Sequence, residues 1–138
     1  MRFAIIRKAD EQTEAGAMPT EELMADMLRY NEEMAKAGIM FGGEGLRPSR
    51  EATRVSFQGG RPTIVDGPFT EAKELIAGFT LIDVKSREEA MEWVLRWPEP
   101  DVVLELRPIY EMEDFGEAFT PELREQEDRL RERAARNA

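Results

Sequence analysis

Apolar positions along the chain recur at two spacings, and the order in which those spacings alternate predicts the elements. Residues 3–8 alternate moderately and are rich in β-formers, which predicts a first strand, followed by a polar loop with Gly16 and Pro19. Thr20 is a good helix N-cap, and Glu21 and Glu22 suit the first turn. Leu23, Met27, Leu28, Met34 and Ala35 then recur at helical spacing up to Gly38, a natural stop. Residues 39–45 return as a strand, in which Gly42, Gly43 and Gly45 either bulge it or leave room for a ligand or another backbone. Thr53-Arg54-Val55-Ser56-Phe57 alternates at period two, Gly59-Gly60 signals a tight hairpin, and residues 61–65 supply the returning strand.

Residues 70–74 are short and charged, one turn of helix or a loop, and residues 75–84 run apolar enough for a central strand. Ser86-Arg87-Glu88-Glu89 reads as a capping box, after which Ala90, Trp93, Val94 and Trp97 define the buried stripe of a second helix that Pro98 ends. Residues 102–110 make the last strand, with Pro108 suited to an edge.

The resulting order is a ferredoxin-like α+β domain, βαββαβ with an inserted β-hairpin, its helices on one face of the sheet. The other face is left apolar and uncovered, so a homodimer burying sheet against sheet is expected. Residues 117–138 stand apart as a charged C-terminal helical extension, begun by Thr120 as N-cap and Pro121 at the first helical position. The expected division is therefore 1–116 and 117–138.

Composition narrows the chemistry. With no cysteine and no histidine in 138 residues, thiolate nucleophiles, disulfides and the commonest general base and transition-metal ligand are absent. No cofactor and no metal site is expected. Nineteen basic against 29 acidic residues give a net charge of −10, which argues against nucleic acid and anionic membranes as partners. The amino terminus has only a short apolar run flanked by charge, so a cytoplasmic protein is expected.

The candidate site centres on Asp66-Gly67-Pro68-Phe69, where a carboxylate, a permissive residue, a φ-locked residue and an apolar ring sit consecutively. Two readings of Asp66 stand side by side. Beside an apolar ring its pKa is open to being raised, which would suit a general base; in a turn it would accept backbone hydrogen bonds. Tyr30, Arg54, Lys73 and Arg107 are candidate binding groups for a developing oxyanion, each with an ordinary structural alternative.

The run Asp66-Gly67-Pro68-Phe69-Thr70-Glu71-Ala72-Lys73-Glu74-Leu75-Ile76-Ala77-Gly78-Phe79 resembles the YCII-related, or DGPF, family. Agreement extends to Pro48-Ser49, the Thr53 strand, Ser86-Arg87-Glu88-Glu89-Ala90 and Glu105-Leu106-Arg107-Pro108, covering residues 1 to about 112. The resemblance implies a dimeric α+β barrel with a pocket near the subunit interface. It also implies two kinds of relative: enzymes with a histidine-aspartate pair, including a dehydrochlorinase, and accessory proteins encoded beside extracytoplasmic-function sigma factors. Asp66 matches the aspartate of the pair, and the histidine has no counterpart here. Two functions follow as expectations. One is a lyase- or isomerase-type enzyme with Asp66 as base; the other is a non-catalytic module holding a small apolar-acidic molecule.

Overall fold

The computed structural model describes residues 1–70 and 73–137. The turn expected over residues 70–74 falls partly on Glu71 and Ala72, outside the described residues. The chain divides into two compact units, Met1–Pro108 and Ile109–Ala138.

The first unit runs β1 (Arg2–Lys8), α1 (Glu11–Glu14), α2 (Glu21–Lys36), β2 (Met40–Gly45), β3 (Thr53–Gln58), β4 (Arg61–Asp66), β5 (Ile76–Asp83), α3 (Arg87–Val94) and β6 (Leu104–Pro108). Four strands form one sheet in the order β2-β5-β1-β6, every neighbour antiparallel, while β3 and β4 pair as a separate ribbon. This is the ferredoxin-like order with the hairpin inserted between β2 and β5. Gly59 (φ 60°) and Gly60 (φ 80°) make the two-residue turn of the ribbon, where left-handed backbone matches the twist of the strands.

Alternation in the central strands decides what faces the helices. Phe3 lies opposite Ile82, and Ile5 opposite Thr80, so these side chains share one face. Tyr30 and Met34 from α2 and Ala90 from α3 complete a single core with Phe3, Ile5, Ile39, Ile82 and Val84. Both helices therefore lie on the same side of the sheet. The opposite face carries Ala4, Ile6, Phe79 and Leu81, each only partly buried.

Four local features differ from the sequence expectation. The polar loop contains α1, capped by Asp10, whose carboxylate accepts from Thr13 N–H at 2.9 Å while Thr13 Oγ1 accepts from Asp10 N–H at 2.8 Å. Ser86 does cap α3, accepting from Glu89 N–H at 3.1 Å, but the Glu89 carboxylate accepts from Lys85 N–H, one residue short of a reciprocal box. The helix stops at Val94, and Trp97 sits in a following turn closed by its N–H on the Val94 carbonyl at 3.1 Å. β6 is shorter than residues 102–110 and occupies a sheet edge, where Pro108 forfeits no ladder bond on its outer side.

Tyr30 ties α2 to the segment that follows. Its hydroxyl donates to the Trp93 carbonyl at 2.6 Å, and its ring meets Trp93 and Trp97 edge-on at 6.3 and 5.7 Å. Burial pushes the phenol pKa from 10 up to about 12. Below pH 10 the phenol is neutral in folded and unfolded chains alike. Between pH 10 and 12 the unfolded chain ionises while the folded one does not, so stability is lost as pH rises. Urea unfolding is expected to show a loss of about 2 kcal/mol across that window, allowing for solvent screening. Tyr30→Phe should remove this component from the difference profile while costing about 1 kcal/mol at neutral pH for the undonated Trp93 carbonyl. Identical alkaline profiles for the two proteins would count against the burial of the phenol.

The second unit holds a 3-10 turn, Met112–Ala118, and α4 (Pro121–Arg136). Phe115 lies between Tyr110 and Phe119, with centroids 5.2 and 5.7 Å away, which groups residues 109–116 with the helix. Thr120 caps α4 through the Leu123 N–H, and Glu127 pairs with Arg131 at 2.8 Å along its surface. Among the described residues no helix is long and apolar enough to cross a membrane.

Candidate functional site

On the helix-covered side of the sheet, a cavity of about 790 Å³ opens between α2, the segment 12–19 and β2, within the size range of small-molecule sites. Its apolar wall is Leu23, Met27 and Met40. On the sheet side, Gly43 and Gly45 of β2 face it, with Gly78 of β5 opposite Gly45. A Cβ on Gly45 would meet nothing within 4 Å, so the missing side chain is what leaves the space. One on Gly43 would press to 3.1 Å from the Phe79 carbonyl oxygen. The glycines of this strand thus do both things read in them, a bulge between Met40 and Gly42 and an opening on the cavity.

The floor is polar because of one position. β1 alternates Phe3, Ile5, Arg7 toward the helices, so the last inward site carries a guanidinium, 8% exposed. Arg7 donates from Nε and Nη2 to the two oxygens of Glu99 at 3.1 and 2.8 Å, and from Nη1 to Asp10 at 3.1 Å and to the Lys8 carbonyl at 2.5 Å. Trp97 Nε1–H adds a long bond to Glu99 at 3.4 Å. The Glu99 hydrogen bonds hold Arg7 above its ordinary pKa against the opposing effect of burial. The Thr13 N–H, with help from Arg7, holds Asp10 below the usual carboxylate range. Thr80 and Asn31 also line the cavity, and Asn31 Oδ1 is buried without a donor among the described residues.

The Asp66-Gly67-Pro68-Phe69 corner lies at the end of β4 and does not line this cavity. Asp66 is exposed and accepts from the Thr53 hydroxyl at 2.9 Å across the β3–β4 pair. Gly67 N–H donates to the Ala52 carbonyl at 2.8 Å, and the Gly67–Pro68 peptide is cis. Phe69 is buried, with the Arg54 guanidinium 3.9 Å above its ring, and its N–H donates to Ser49 Oγ at 3.0 Å. Ser49 in turn donates to Glu14 through its N–H at 2.9 Å and through its hydroxyl. Arg50 Nη1 donates to the Glu14 carbonyl at 3.0 Å. Through Ser49 the corner is fastened to the α1 segment that forms one side of the cavity.

The five residues singled out from the sequence do not form one cluster. Tyr30 belongs to the core, Arg54 covers Phe69, and Lys73 is exposed. Arg107 is exposed on β6 beside Glu105 at 3.6 Å, on the sheet face opposite the cavity by register. Sequence reasoning missed Arg7, Glu99, Asn31 and Thr80. For Arg7 a signal existed: a cation at the inward parity of an otherwise apolar strand must find a partner or water.

A ferredoxin-like α+β domain with a cavity beneath its long first crossover helix is the class these observations define. A YCII-related domain matches residues 1–113, and the chain belongs to that family. Over 95 residues it is 32% identical to an uncharacterized protein of Rhizobium meliloti (strain 1021), a match that takes in 67% of this chain and 77% of that protein.

Proposed function

We propose that this protein is a small-molecule-binding module whose ligand occupies the cavity between α2 and β2. The observation that carries the reading is the cavity's construction: a glycine-lined strand that leaves space, an apolar wall of Leu23, Met27 and Met40, and a few convergent polar groups on the floor. A thermal-shift screen of metabolites against wild type and Gly45→Phe tests it. A compound at a hundredfold excess over its Kd is expected to stabilise the wild type by about 2.7 kcal/mol, several degrees for a domain of this size. Gly45→Phe fills the cavity from a position with free space, so it should fold normally and lose the shift. Shifts that persist undiminished in Gly45→Phe would place the ligand elsewhere.

The lyase- or isomerase-type reading with Asp66 as general base has less support. A base must reach the proton it removes, and Asp66 is exposed and outside the cavity lining. Asp66→Asn preserves the shape of the Thr53 contact and is accordingly expected to leave ligand binding unchanged. Turnover of a bound compound by wild type, abolished in Asp66→Asn, would restore the enzymatic reading. The apolar sheet face with Ala4, Ile6, Phe79 and Leu81 supports a homodimer, the partner being a second copy.

A further inference from the structure

The charges of the cavity lining cancel in two pairs and leave one over. Arg7 is held by Glu99, and Arg47 bonds Glu51 at 3.0 Å. Glu44 lies opposite Phe79, and Phe79 opposite Ile6, so its side chain belongs to the face of the sheet away from the cavity. Arg50 is the remainder. Its Nη1 donates to the Glu14 carbonyl at 3.0 Å, a neutral acceptor, while the Glu14 carboxylate is taken by the Ser49 N–H and hydroxyl. Among the described residues no carboxylate forms an ion pair with Arg50.

This cation is also held in place. Gly16, at φ 79°, supplies its seat, because a Cβ there would come 2.5 Å from Arg50 Nη2 and 3.2 Å from Nη1. The preceding residue, Ser49, is buried and fixed by Glu14 and Phe69, which anchors the backbone from which the side chain extends. Nε and Nη2 are left for a further acceptor, and together they present the two parallel N–H donors that match a carboxylate. Arg7 has four of its five N–H donors committed and keeps one on Nη2, whose pull on an anion is weakened by the Glu99 and Asp10 carboxylates beside it. In the same lining the Asn31 Oδ1 receives no donor among the described residues. Resting on the binding reading above, we propose that the ligand is a small monocarboxylic acid with a compact apolar body, its carboxylate bonded to Arg50 and its body lying against Leu23, Met27 and the glycines of β2. A neutral hydroxyl or N–H on that body serves Asn31 without adding charge. The net charge of −10 opposes an anion only through surface charges that salt screens, so the contact at Arg50 decides.

The test uses two probes that share a phenol body and differ in charge, desaminotyrosine and its primary amide, titrated into the full chain at neutral pH and equal salt and followed by backbone amide NMR shifts. Desaminotyrosine is expected to move the amides of Gly16, Gly43, Gly45 and Arg50 and to bind about fivefold more tightly than the amide, a modest preference because Arg50 is exposed. Arg50→Gln should cut that preference at least about threefold, with the amide spectrum away from the cavity unchanged. Lys36→Gln removes the same charge outside the lining and should leave the preference within about twofold of wild type. Equal or tighter binding of the neutral probe by wild type overturns the ligand class without any variant and leaves the binding reading standing. A preference that Arg50→Gln leaves intact, or that Lys36→Gln removes as fully, overturns the assignment to Arg50. Silence of both probes at those amides overturns the ligand class, and silence across the thermal-shift screen as well overturns the binding reading with it.

Discussion

Gly67→Ala is expected to destabilise the protein by about 3 kcal/mol or more and to loosen the hairpin and the α1 segment together. A Cβ at Gly67 would overlap the Ser49 carbonyl oxygen outright, lie 2.7 Å from its carbon and come within 3.3 Å of the Arg50 nitrogen. These are backbone atoms, so no side-chain rotation relieves the overlap. Ser49 cannot simply move away. It is 7% exposed and held from two sides, by the Glu14 carboxylate through its N–H and hydroxyl and by the Phe69 N–H on its Oγ. Relief therefore requires the corner to lift, taking Phe69 out of its buried seat, or Ser49 to yield, releasing Glu14. Gly45→Ala is the contrasting substitution: its Cβ has open space, and replacing a strand glycine should be neutral or stabilising by about 0.5 kcal/mol. Urea unfolding of both variants, with hydrogen exchange read at residues 11–18 and along β3–β4, checks the prediction. A loss under about 1 kcal/mol for Gly67→Ala, or unchanged exchange in the α1 segment, would show that Ser49 is not the joint described above.

That joint marks where sequence reading stops. The corner itself was legible, because the acid, glycine, proline and phenylalanine are consecutive and each has a local consequence. So were the strand and helix order, the Gly59-Gly60 turn and the Thr20 and Thr120 caps, which depend on neighbours within a few residues. What the corner touches was not legible. Ser49 lies 20 residues before Phe69, and Glu14 another 35 before Ser49. The same distinction separates the corner from the cavity. Asp66 drew attention through its local chemistry, yet its observed partner is a cross-strand threonine. The polar floor of the cavity comes from Arg7 and Glu99, 92 residues apart, in an arrangement that only strand pairing and the turn after α3 bring together. Periodicity does place Arg7 on the inward side of β1, but it names no counter-ion.

Glu99→Ala should be the other severely destabilising substitution, costing about 3 kcal/mol, because it strips an almost fully buried guanidinium of its bidentate partner. Asp10 and the Lys8 carbonyl would still hold Nη1, while Nε and Nη2 would be left without acceptors. Asp10→Asn should be milder, about 1 kcal/mol, since the Asp10 side chain is 40% exposed and Arg7 keeps Glu99. The pair itself need not add net stability. Removing both charges with residues of similar length, Arg7→Met with Glu99→Leu, is expected to return stability to within about 1 kcal/mol of wild type, giving a coupling of about 2 kcal/mol or more in a urea double-mutant cycle. A Glu99→Ala cost below about 1 kcal/mol would mean that water reaches Arg7 freely. The double variant also separates folding from recognition. It keeps the apolar packing of β1 and the turn after α3 while deleting the charged floor, so any preference of the cavity for one ligand charge should shrink although the protein remains as stable as before. If stability is restored and charge preference persists undiminished, selectivity resides elsewhere in the cavity lining, and the buried pair serves only to let a charged residue occupy an inward strand position.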